Sequence, residues 1–474
     1  MLDSQWAHGF FKSFVMTKEE QISSDAASPP DGGYGWVVVA AVILLYSSLI
    51  PIILCFGIIY EDKFSDMDVS ASQISFLLHL NNSLMCLLGL FSGPLLKIFQ
   101  HRPIIFLGVT LCCIAIFLTT FAESYTFIMC TVGIMLGVGN GILMPGTYMV
   151  VNSYFKKRLT LAMSFQVTGS SIAGIFLPQI CEFLLSHFGI TGTAIIFAGI
   201  SFHAIPAAIL LKPAKEIACD ELKQPVITGQ EEKIGENATE KLLPHIYNHT
   251  TTTINRESRA KRLMKSIGKL FNFELFTDRK YVIVVIGMGI SFASELNTIL
   301  MTSFVLKELN GFTIKELASA TSLLSLSDVT GRLLLPYLAY RGEYSPKVSY
   351  IFALIGSTVG RTILSFYYDH KIMVLISIAI LGLGKGAKAV FQSLILPNFI
   401  SYDKLASANG LLMVINGILS LIVGPIIGVM HDVGNSYLYS LHSASILSMS
   451  CVILWSVDYL VRRKKVDEST DDPS

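Results

Sequence analysis

Apolar residues occur in long blocks along most of this chain, and short polar stretches separate the blocks. Each block has about twenty residues, the length that a helix needs to cross roughly 30 Å of hydrocarbon at about 1.5 Å per residue. About six such blocks lie on each side of one long polar segment. The pattern therefore predicts an all-α membrane protein with about twelve transmembrane helices.

The long polar segment divides the chain into two parts of similar length. Two six-helix halves around a central loop are the outline of a carrier that is built from two related halves. The predicted organisation has an N-terminal tail, a first six-helix half, a central loop, a second six-helix half and a C-terminal tail. In that order they span residues 1–30, 31–211, 212–280, 281–461 and 462–474.

Composition agrees with the block pattern. Hydrophobic residues make up 52% of the 474 residues, charged residues make up 15%, and the mean hydropathy is +0.59. Soluble domains carry roughly 25% charged residues. The formal net charge of +1 excludes a strongly basic nucleic-acid-binding protein. Most of the eight cysteines lie inside apolar blocks, so they imply no disulfide framework.

Lysine and arginine indicate how the chain is oriented, because short cytoplasmic loops retain basic residues. Basic residues follow the second, fourth, eighth and last predicted helices, whereas the first loop is acidic. Both termini and the central loop are therefore predicted to be cytoplasmic. Residues 1–30 contain acids and no apolar run of signal-peptide length, so we expect no cleaved targeting segment.

Ionisable residues inside apolar blocks are the candidates for function, since each costs roughly 2.5 to 3.5 kcal/mol at the bilayer centre. Asp328 and Arg332 are four residues apart in the eighth predicted helix and therefore share one face. Arginine can bind a carboxylate through two donors, and protonation of the aspartate could release the arginine for that purpose. The alternative is a purely structural ion pair.

Two lysines in the tenth predicted helix are weaker candidates. Lys385 and Lys388 lie in the glycine-flanked segment LGLGKGAKAVFQ and could add positive charge to an anion pathway. Lysine at a helix end can also extend its ammonium group to the membrane surface, which is the structural alternative.

Other classes of membrane protein fit the sequence less well. A channel would need charged rings or filter loops, and a membrane enzyme would need a metal-binding or nucleophile motif such as HExxH or GxSxG. The apolar blocks contain neither kind of pattern, so we expect no enzymatic activity, metal or cofactor. A nutrient sensor that binds a solute without transporting it remains an alternative to a carrier.

Two further motifs resemble those of a known family. DGGYGWVVV leads into the first predicted helix, and YFKKR leads into the fifth, ahead of LAMSFQVTGSSIAG. Together with the DxxxR pattern of the eighth helix, they resemble the signatures of the monocarboxylate transporter family of the major facilitator superfamily. The GKGAK segment is similar to arthropod members. The residues of the two motifs are Asp31, Gly32, Gly33, Gly35, Trp36, Tyr154, Phe155, Lys157 and Arg158.

The resemblance implies a major facilitator fold and transport by alternating access. The best-known branch moves lactate, pyruvate and ketone bodies together with a proton, and Asp328 and Arg332 match its proton and carboxylate positions. The resemblance also implies a multi-pass protein of the plasma membrane, and some relatives need a single-span immunoglobulin-type partner. Because Asp31 and Lys157 lie near the predicted cytoplasmic boundary, we expect their motifs to support helix packing and the conformational cycle.

The sequence departs from the lactate-carrying branch at two positions. Leu54 stands late in the first helix where that branch has a lysine, and Ser153 stands before the YF pair where it has another. Proton coupling is therefore left open. Other branches of the family carry amino acids and related organic solutes without a proton, and an uncoupled facilitator of that kind is the alternative function.

Overall fold

A computed structural model describes residues 31–98, 101–212, 275, 277–398, 400 and 402–470. Within these ranges every regular element is a helix. The predicted N-terminal tail and most of the predicted central loop lie outside the described residues. We call residues 31–212 the N-terminal part and residues 277–470 the C-terminal part.

The N-terminal part contains nine α-helices and one π-helix among its described residues. The α-helices are α1 (Tyr34–Leu49), α2 (Pro51–Leu54), α3 (Phe56–Asp66), α4 (Ala71–Ile98), α5 (His101–Thr119), α6 (Tyr125–Ile128), α7 (Leu136–Tyr154), α8 (Leu159–Ser201) and α9 (Ala204–Leu210). The π-helix, Met129–Met135, joins α6 to α7 without a break.

The C-terminal part contains six long helices and a short 3-10 turn among its described residues. The helices are α10 (Arg279–Asn310), α11 (Ile314–Arg341), α12 (Pro346–Phe366), α13 (Lys371–Ile395), α14 (Tyr402–Gly434) and α15 (Tyr437–Thr470). Side chains cap the starts of α11 and α12. Thr313 and Glu316 form a capping box at the start of α11, and Ser345 caps α12 with Pro346 in its first turn.

Seven helical stretches among the described residues are long and apolar enough to cross a membrane, and two shorter helices are apolar as well. The all-α membrane prediction is therefore confirmed. The count of twelve helices, the five segment boundaries and the cytoplasmic placement of both termini stay predictions.

Three predicted spans differ in the structure from separate, continuous helices. The first is interrupted at Ile50 and again at Cys55, so that the four-residue helix α2 begins at Pro51. Proline ends the preceding helix because it lacks a backbone N–H. The fifth and sixth predicted spans run together as α8, with Gly189 at φ 66° marking the kink between them.

The two parts contact each other along α4 with α14 and along α8 with α11. Polar bonds cross the first of these contacts in its buried interior: Oγ of Ser83 donates to the carbonyl of Gly417 at 2.7 Å, and Nδ1 of His79 lies 2.7 Å from Oγ of Ser420. A Cβ on Gly424 would lie 2.1 Å from the His79 ring, so glycine makes room for the imidazole.

Further polar contacts join the two parts near the loop after α3. The carboxylate of Asp432, on α14, accepts from the backbone N–H groups of Ala71 and Ser72 at 3.0 and 3.2 Å. These N–H groups belong to the first turn of α4 and have no acceptor within the helix, so a carboxylate there stabilises the helix start. Lys307 on α10 pairs with Glu61 and Asp62 on α3.

Candidate functional site

Asp328 and Arg332, the predicted pair on α11, form a bidentate ion pair. Nε of Arg332 donates to Oδ1 of Asp328 at 2.8 Å, and Nη2 donates to Oδ2 at 3.2 Å. The four-residue spacing places both side chains on one helical face, as the sequence predicts. The guanidinium therefore already holds a carboxylate, and that carboxylate comes from its own helix.

A third charge joins this pair from α13. Nζ of Lys385 lies 3.2 Å from Oδ2 of Asp328. The two helices approach closely at this point, since a Cβ on Gly386 would lie 2.1 Å from the carbonyl oxygen of Asp328 and 2.9 Å from the nitrogen of Arg332. Glycine between the two lysines is thus what brings the ammonium of Lys385 to the aspartate.

We call Asp328, Arg332 and Lys385 the accessible cluster. The side chain of Asp328 is 7% exposed, whereas those of Arg332 and Lys385 are 22% and 29% exposed. With the aspartate ionised, the cluster carries one surplus positive charge. Its two cations keep part of their surface accessible, so an anion can reach the cluster.

Leu54 lies beside the helix that carries this cluster. A Cβ on Gly174 of α8 would have Leu54 Cδ2 at 3.5 Å and Ser325 Oγ at 3.1 Å, so α2, α8 and α11 meet there. Ser325 stands one turn before Asp328 on α11. The lysine of the lactate-carrying branch would therefore emerge near the accessible cluster, and this chain has an aliphatic side chain in its place.

Lys388 lies three residues after Lys385 but has different partners. Its ammonium pairs with Glu295 of α10 and donates to the carbonyl of Ser291 at 3.2 Å. The side chains of Lys388 and Glu295 are only 7% and 5% exposed. A place for Lys388 in an anion pathway stays a prediction, and in this conformation its charge is engaged inside the C-terminal part.

Arg361 of α12 completes a second charged group, which we call the buried cluster: Glu295, Lys388 and Arg361. Arg361 is fully buried, and the carboxylate of Glu295 acts electrostatically on both cations. The guanidinium donates to four hydroxyl groups. They belong to Ser448 at 2.7 Å, Ser445 and Thr358 at 3.3 Å and Thr298 at 3.4 Å. The only sequence signal for this cluster is that its charged residues interrupt apolar blocks.

The two family-like motifs of the N-terminal part meet in space. The backbone N–H of Asp31 donates to the carbonyl of Tyr154 at 2.9 Å. Oδ1 of Asp31 accepts from the backbone N–H groups of Lys156, Lys157 and Arg158 at 2.7, 2.9 and 3.3 Å. Desolvation would raise the pKa of the Asp31 carboxyl, but these three donors and the charge of Lys157 lower it overall.

Ring packing and a close backbone approach extend the contact between the motifs. A Cβ on Gly35 would lie 2.8 Å from the Phe155 ring and 2.9 Å from Cβ of Tyr154. Trp36 packs edge-on against Phe155, with ring centroids 5.1 Å apart. Gly32 and Gly33 form the turn into α1, where their carbonyls accept from Gly35 and Trp36 at 3.1 and 3.2 Å.

These contacts join α1, α7 and α8 within the N-terminal part. Among the described residues they do not touch the accessible cluster. The geometry fits the expectation that the motifs support helix packing, and their part in the conformational cycle stays a prediction.

Comparison with known proteins agrees with this architecture. The model of the Major Facilitator Superfamily matches residues 35–425. Monocarboxylate transporter 2 of Rattus norvegicus is 23% identical over 443 residues, which cover 92% of this chain and 86% of the relative. Monocarboxylate transporter 6 of Mus musculus is 24% identical over 451 residues, which cover 93% of this chain and 90% of the relative.

Solved structures show the same fold at lower identity. The nucleoside transporter NupG has a TM-score of 0.63 at 14% identity, covering 90% of this chain and 99% of its own. A bacterial homologue of the human lysosomal transporter Spinster, in an inward-facing and unoccupied conformation, has a TM-score of 0.64 at 14% identity and covers 91% and 98%. The chain is thus similar to monocarboxylate transporters over most of its length, as its signature motifs suggest. It belongs to the Major Facilitator Superfamily of membrane transporters.

Proposed function

We propose that this protein carries monocarboxylates of the lactate or pyruvate type across the membrane by alternating access, with Arg332 as the residue that binds the carboxylate. The observation that carries the proposal is the accessible cluster. Arg332 already binds one carboxylate through two donors, and 22% of its side chain remains exposed. Arginine binds carboxylates in this bidentate manner throughout proteins.

The charge of the cluster suits a monoanion. With Asp328 ionised, the empty cluster of Asp328, Arg332 and Lys385 carries one surplus positive charge. A monocarboxylate that binds together with a proton on Asp328 leaves this charge unchanged, whereas a dicarboxylate with one proton would alter it. Because each uncompensated charge inside the membrane costs several kcal/mol, an unchanged charge lets the loaded and empty carriers interconvert alike, and the proposal is limited to acids with one ionised group.

Lys385 provides a second positive charge, although Leu54 stands where the resemblance implies a lysine. The resemblance places a second cation of the lactate-carrying branch at the position of Leu54. Here the second cation comes from α13, where Lys385 lies 3.2 Å from the carboxylate of Asp328. The cluster thus has the number of positive charges that the resemblance implies, although one of them stands on another helix.

Asp328 gives the site a means of coupling to a proton. While it is ionised it competes with the substrate for Arg332 and Lys385. Once protonated it accepts weaker bonds, and both cations become free for the incoming carboxylate. Loss of the proton on the other side would restore the competition and release the substrate. We therefore propose that a proton accompanies the carboxylate.

The test is uptake of labelled monocarboxylates into cells that express the protein, with intracellular pH recorded at the same time. Arg332→Ala should lower uptake by at least about thirtyfold, because removing one partner of a buried charge pair costs roughly 2 to 5 kcal/mol. Arg341→Ala is the matched control. It lies on the same helix, is exposed and contacts only Tyr337 among the described residues.

Three outcomes distinguish proton-coupled transport, facilitated transport and transport that does not depend on Arg332. Uptake with acidification that is lost in Arg332→Ala supports the proposal in full. Uptake without acidification supports Arg332 as the binding residue and makes the carrier a facilitator. Normal uptake by an Arg332→Ala protein that reaches the membrane in equal amount contradicts the proposal.

The plasma membrane and a single-span immunoglobulin-type partner belong to the same proposal, and they rest on the family resemblance alone. Surface labelling of an epitope-tagged protein tests the first. Recovery of surface labelling on coexpression of such a partner tests the second, and full labelling without it contradicts the need for a partner.

A further inference from the structure

A cavity of about 220 Å³ lies between the two parts of the molecule, apart from the charged groups described above. It is lined by residues of α1, α2, α4 and α7 from the N-terminal part, and by Leu296 and Leu300 of α10 from the C-terminal part. None of its twelve lining residues is charged, and eight of them are leucine, isoleucine or methionine. We call it the neutral chamber.

The size of the chamber points to a ring-sized occupant. An apolar cavity of about 150 Å³ engineered in another protein stays dry and binds benzene. At 220 Å³ the neutral chamber is larger than that cavity. A substrate of three carbons would leave most of the space unfilled and would forgo the contacts that its apolar walls offer.

Three asparagines and a tyrosine provide the polar surface of the chamber. The amide of Asn81 donates to the carbonyl of Val132 at 2.6 Å, and that of Asn82 donates to Ser420 Oγ at 3.3 Å. The oxygen of Asn140 accepts from Cys112 Sγ at 3.6 Å. These bonds use one end of each amide and restrain the side chain, while the remaining donors and acceptors can meet a hydroxyl group on an occupant.

One face of α7 leads from the chamber toward the accessible cluster. Asn140 and Met144 line the chamber, and Tyr148 follows at the same four-residue spacing. The positive charge of Arg332 acts on the Tyr148 phenol. On the other side, Ile53 lines the chamber next to Leu54, which packs near α11. A molecule held by its carboxylate at Arg332 can therefore extend its body toward the chamber.

We infer that the preferred substrates are monocarboxylates with a ring-sized uncharged body, and that a hydroxyl group on that body improves binding. This inference rests on the proposed function of Arg332 and adds the substrate class. The carboxylate lies at the accessible cluster, the ring fills the neutral chamber, and the asparagine amides receive the ring's polar substituent. Because Leu296 and Leu300 of α10 line the chamber beside the N-terminal part, the ring contacts both parts at once.

The test compares three acids with the same α-hydroxy carboxylate head: lactate, 3-phenyllactate and 3-(4-hydroxyphenyl)lactate. Uptake efficiency, measured as kcat/KM, should rise by at least about tenfold from lactate to 3-phenyllactate, since a pocket gains from each apolar group that it can bury. It should rise further for the hydroxyphenyl compound.

Variants then locate the preference in the chamber. Met144→Trp and Leu300→Trp fill it from opposite sides, so each should bring the ratio of 3-phenyllactate to lactate uptake efficiency close to one. Asn140→Leu keeps the volume and removes an amide, and it should erase only the gain from the ring hydroxyl. Met413→Trp is the control, because Met413 is 43% exposed on α14 and does not line the chamber.

The outcomes distinguish this inference from the proposed function. Equal efficiency for all three acids, with uptake of all three lost in Arg332→Ala, contradicts a ring-binding role of the chamber. The proposed function would still hold. A preference for the ring that survives both tryptophan variants, in protein present at the membrane, also overturns it. No uptake of any of the three acids contradicts the inference and the proposed function together.

Discussion

Two charged clusters share helix α13 and have the same composition of one acid and two bases, yet they differ in accessibility. In the accessible cluster, Arg332 and Lys385 are 22% and 29% exposed. In the buried cluster, the side chain of Lys388 is 7% exposed and Arg361 is fully buried. Charge inside the membrane therefore does not by itself mark a binding site. Only the cluster whose arginine and lysine side chains are partly exposed can bind an incoming anion.

Hydrogen bonding accounts for the difference between the clusters. Arg361 donates to four hydroxyl groups on α10, α12 and α15, so its guanidinium is already satisfied. Among the described residues, Arg332 donates only to Asp328. The buried cluster is therefore suited to holding the helices of the C-terminal part together, and the accessible cluster is suited to exchanging one carboxylate for another.

The largest effect should come from breaking the buried cluster. Lys388→Met removes the direct ion-pair partner of Glu295 in an apolar interior and leaves the acid only the longer-range attraction of Arg361. We expect a loss of about 3 to 5 kcal/mol in the free energy of unfolding. Thermal unfolding of the detergent-solubilised carrier would measure it. Adding Glu295→Gln should restore part of the stability, because the acid that lost its ion-pair partner is then neutral while Arg361 keeps its four hydroxyl acceptors. A Lys388→Met protein as stable as Lys385→Met would contradict the distinction between the clusters.

A second change acts on the acid of the accessible cluster. Asp328→Asn raises its charge from one to two positive units and removes the group that competes for Arg332. Substrate should bind more tightly and leave more slowly, so KM and kcat should both fall, each by about tenfold. Acidification during uptake should disappear. Unchanged acidification in this variant would show that the proton binds elsewhere.

Removing the second cation of the same cluster should have a smaller effect. Lys385→Met leaves Arg332 in place and lowers the charge of the cluster to zero. Because the ammonium is partly exposed, we expect KM to rise by only about twofold to fivefold with kcat little changed. Lys385→Arg is the matched control and should stay close to the parent protein. A loss as large as that of Arg332→Ala would make Lys385 a direct partner of the carboxylate.

The smallest effect should come from a polar contact outside both clusters. Asp31→Ala removes the acceptor for three backbone N–H groups before α8, and loss of such a cap costs about 1 kcal/mol. The pKa of Asp31 is lowered in the folded protein, so its contribution to stability is present above the ordinary value of 3.8 and is lost as the pH falls through the lower folded value. We therefore expect Asp31→Ala to lower thermal stability equally at all pH values between about 5 and 8. A loss of stability that varies across that range would contradict a lowered pKa of Asp31.

Sequence periodicity was a sufficient guide where both partners stand on one helix. The bidentate pair of Asp328 and Arg332 follows from a spacing of four residues, and it forms as predicted. The capping box at Thr313 has the same local origin. The signature motifs likewise anticipated the superfamily, because their glycines and aromatic rings stand where the first helix and the loop before α8 must pack closely.

The partners of the lysines could not be read from the chain. Lys385 and Lys388 are three residues apart and looked equivalent, yet one reaches α11 and the other reaches α10. Gly386 permits the close approach to α11, but its spacing does not say which helix it meets. The asparagines of the neutral chamber were also missed. Their one signal was the pair Asn81 and Asn82 within an apolar block, where polar groups need a reason to persist.

The sequence alone is enough to identify an all-α membrane protein with an arginine and an aspartate on one helical face, since block length and helical spacing are local properties of the chain. The tertiary structure is needed to show which charges are accessible, which are buried, and where an uncharged chamber lies. Those features depend on helices that are far apart in the sequence. Their contacts follow from which small residues let two backbones approach, and from where each remaining polar group finds a partner in surroundings that offer no water.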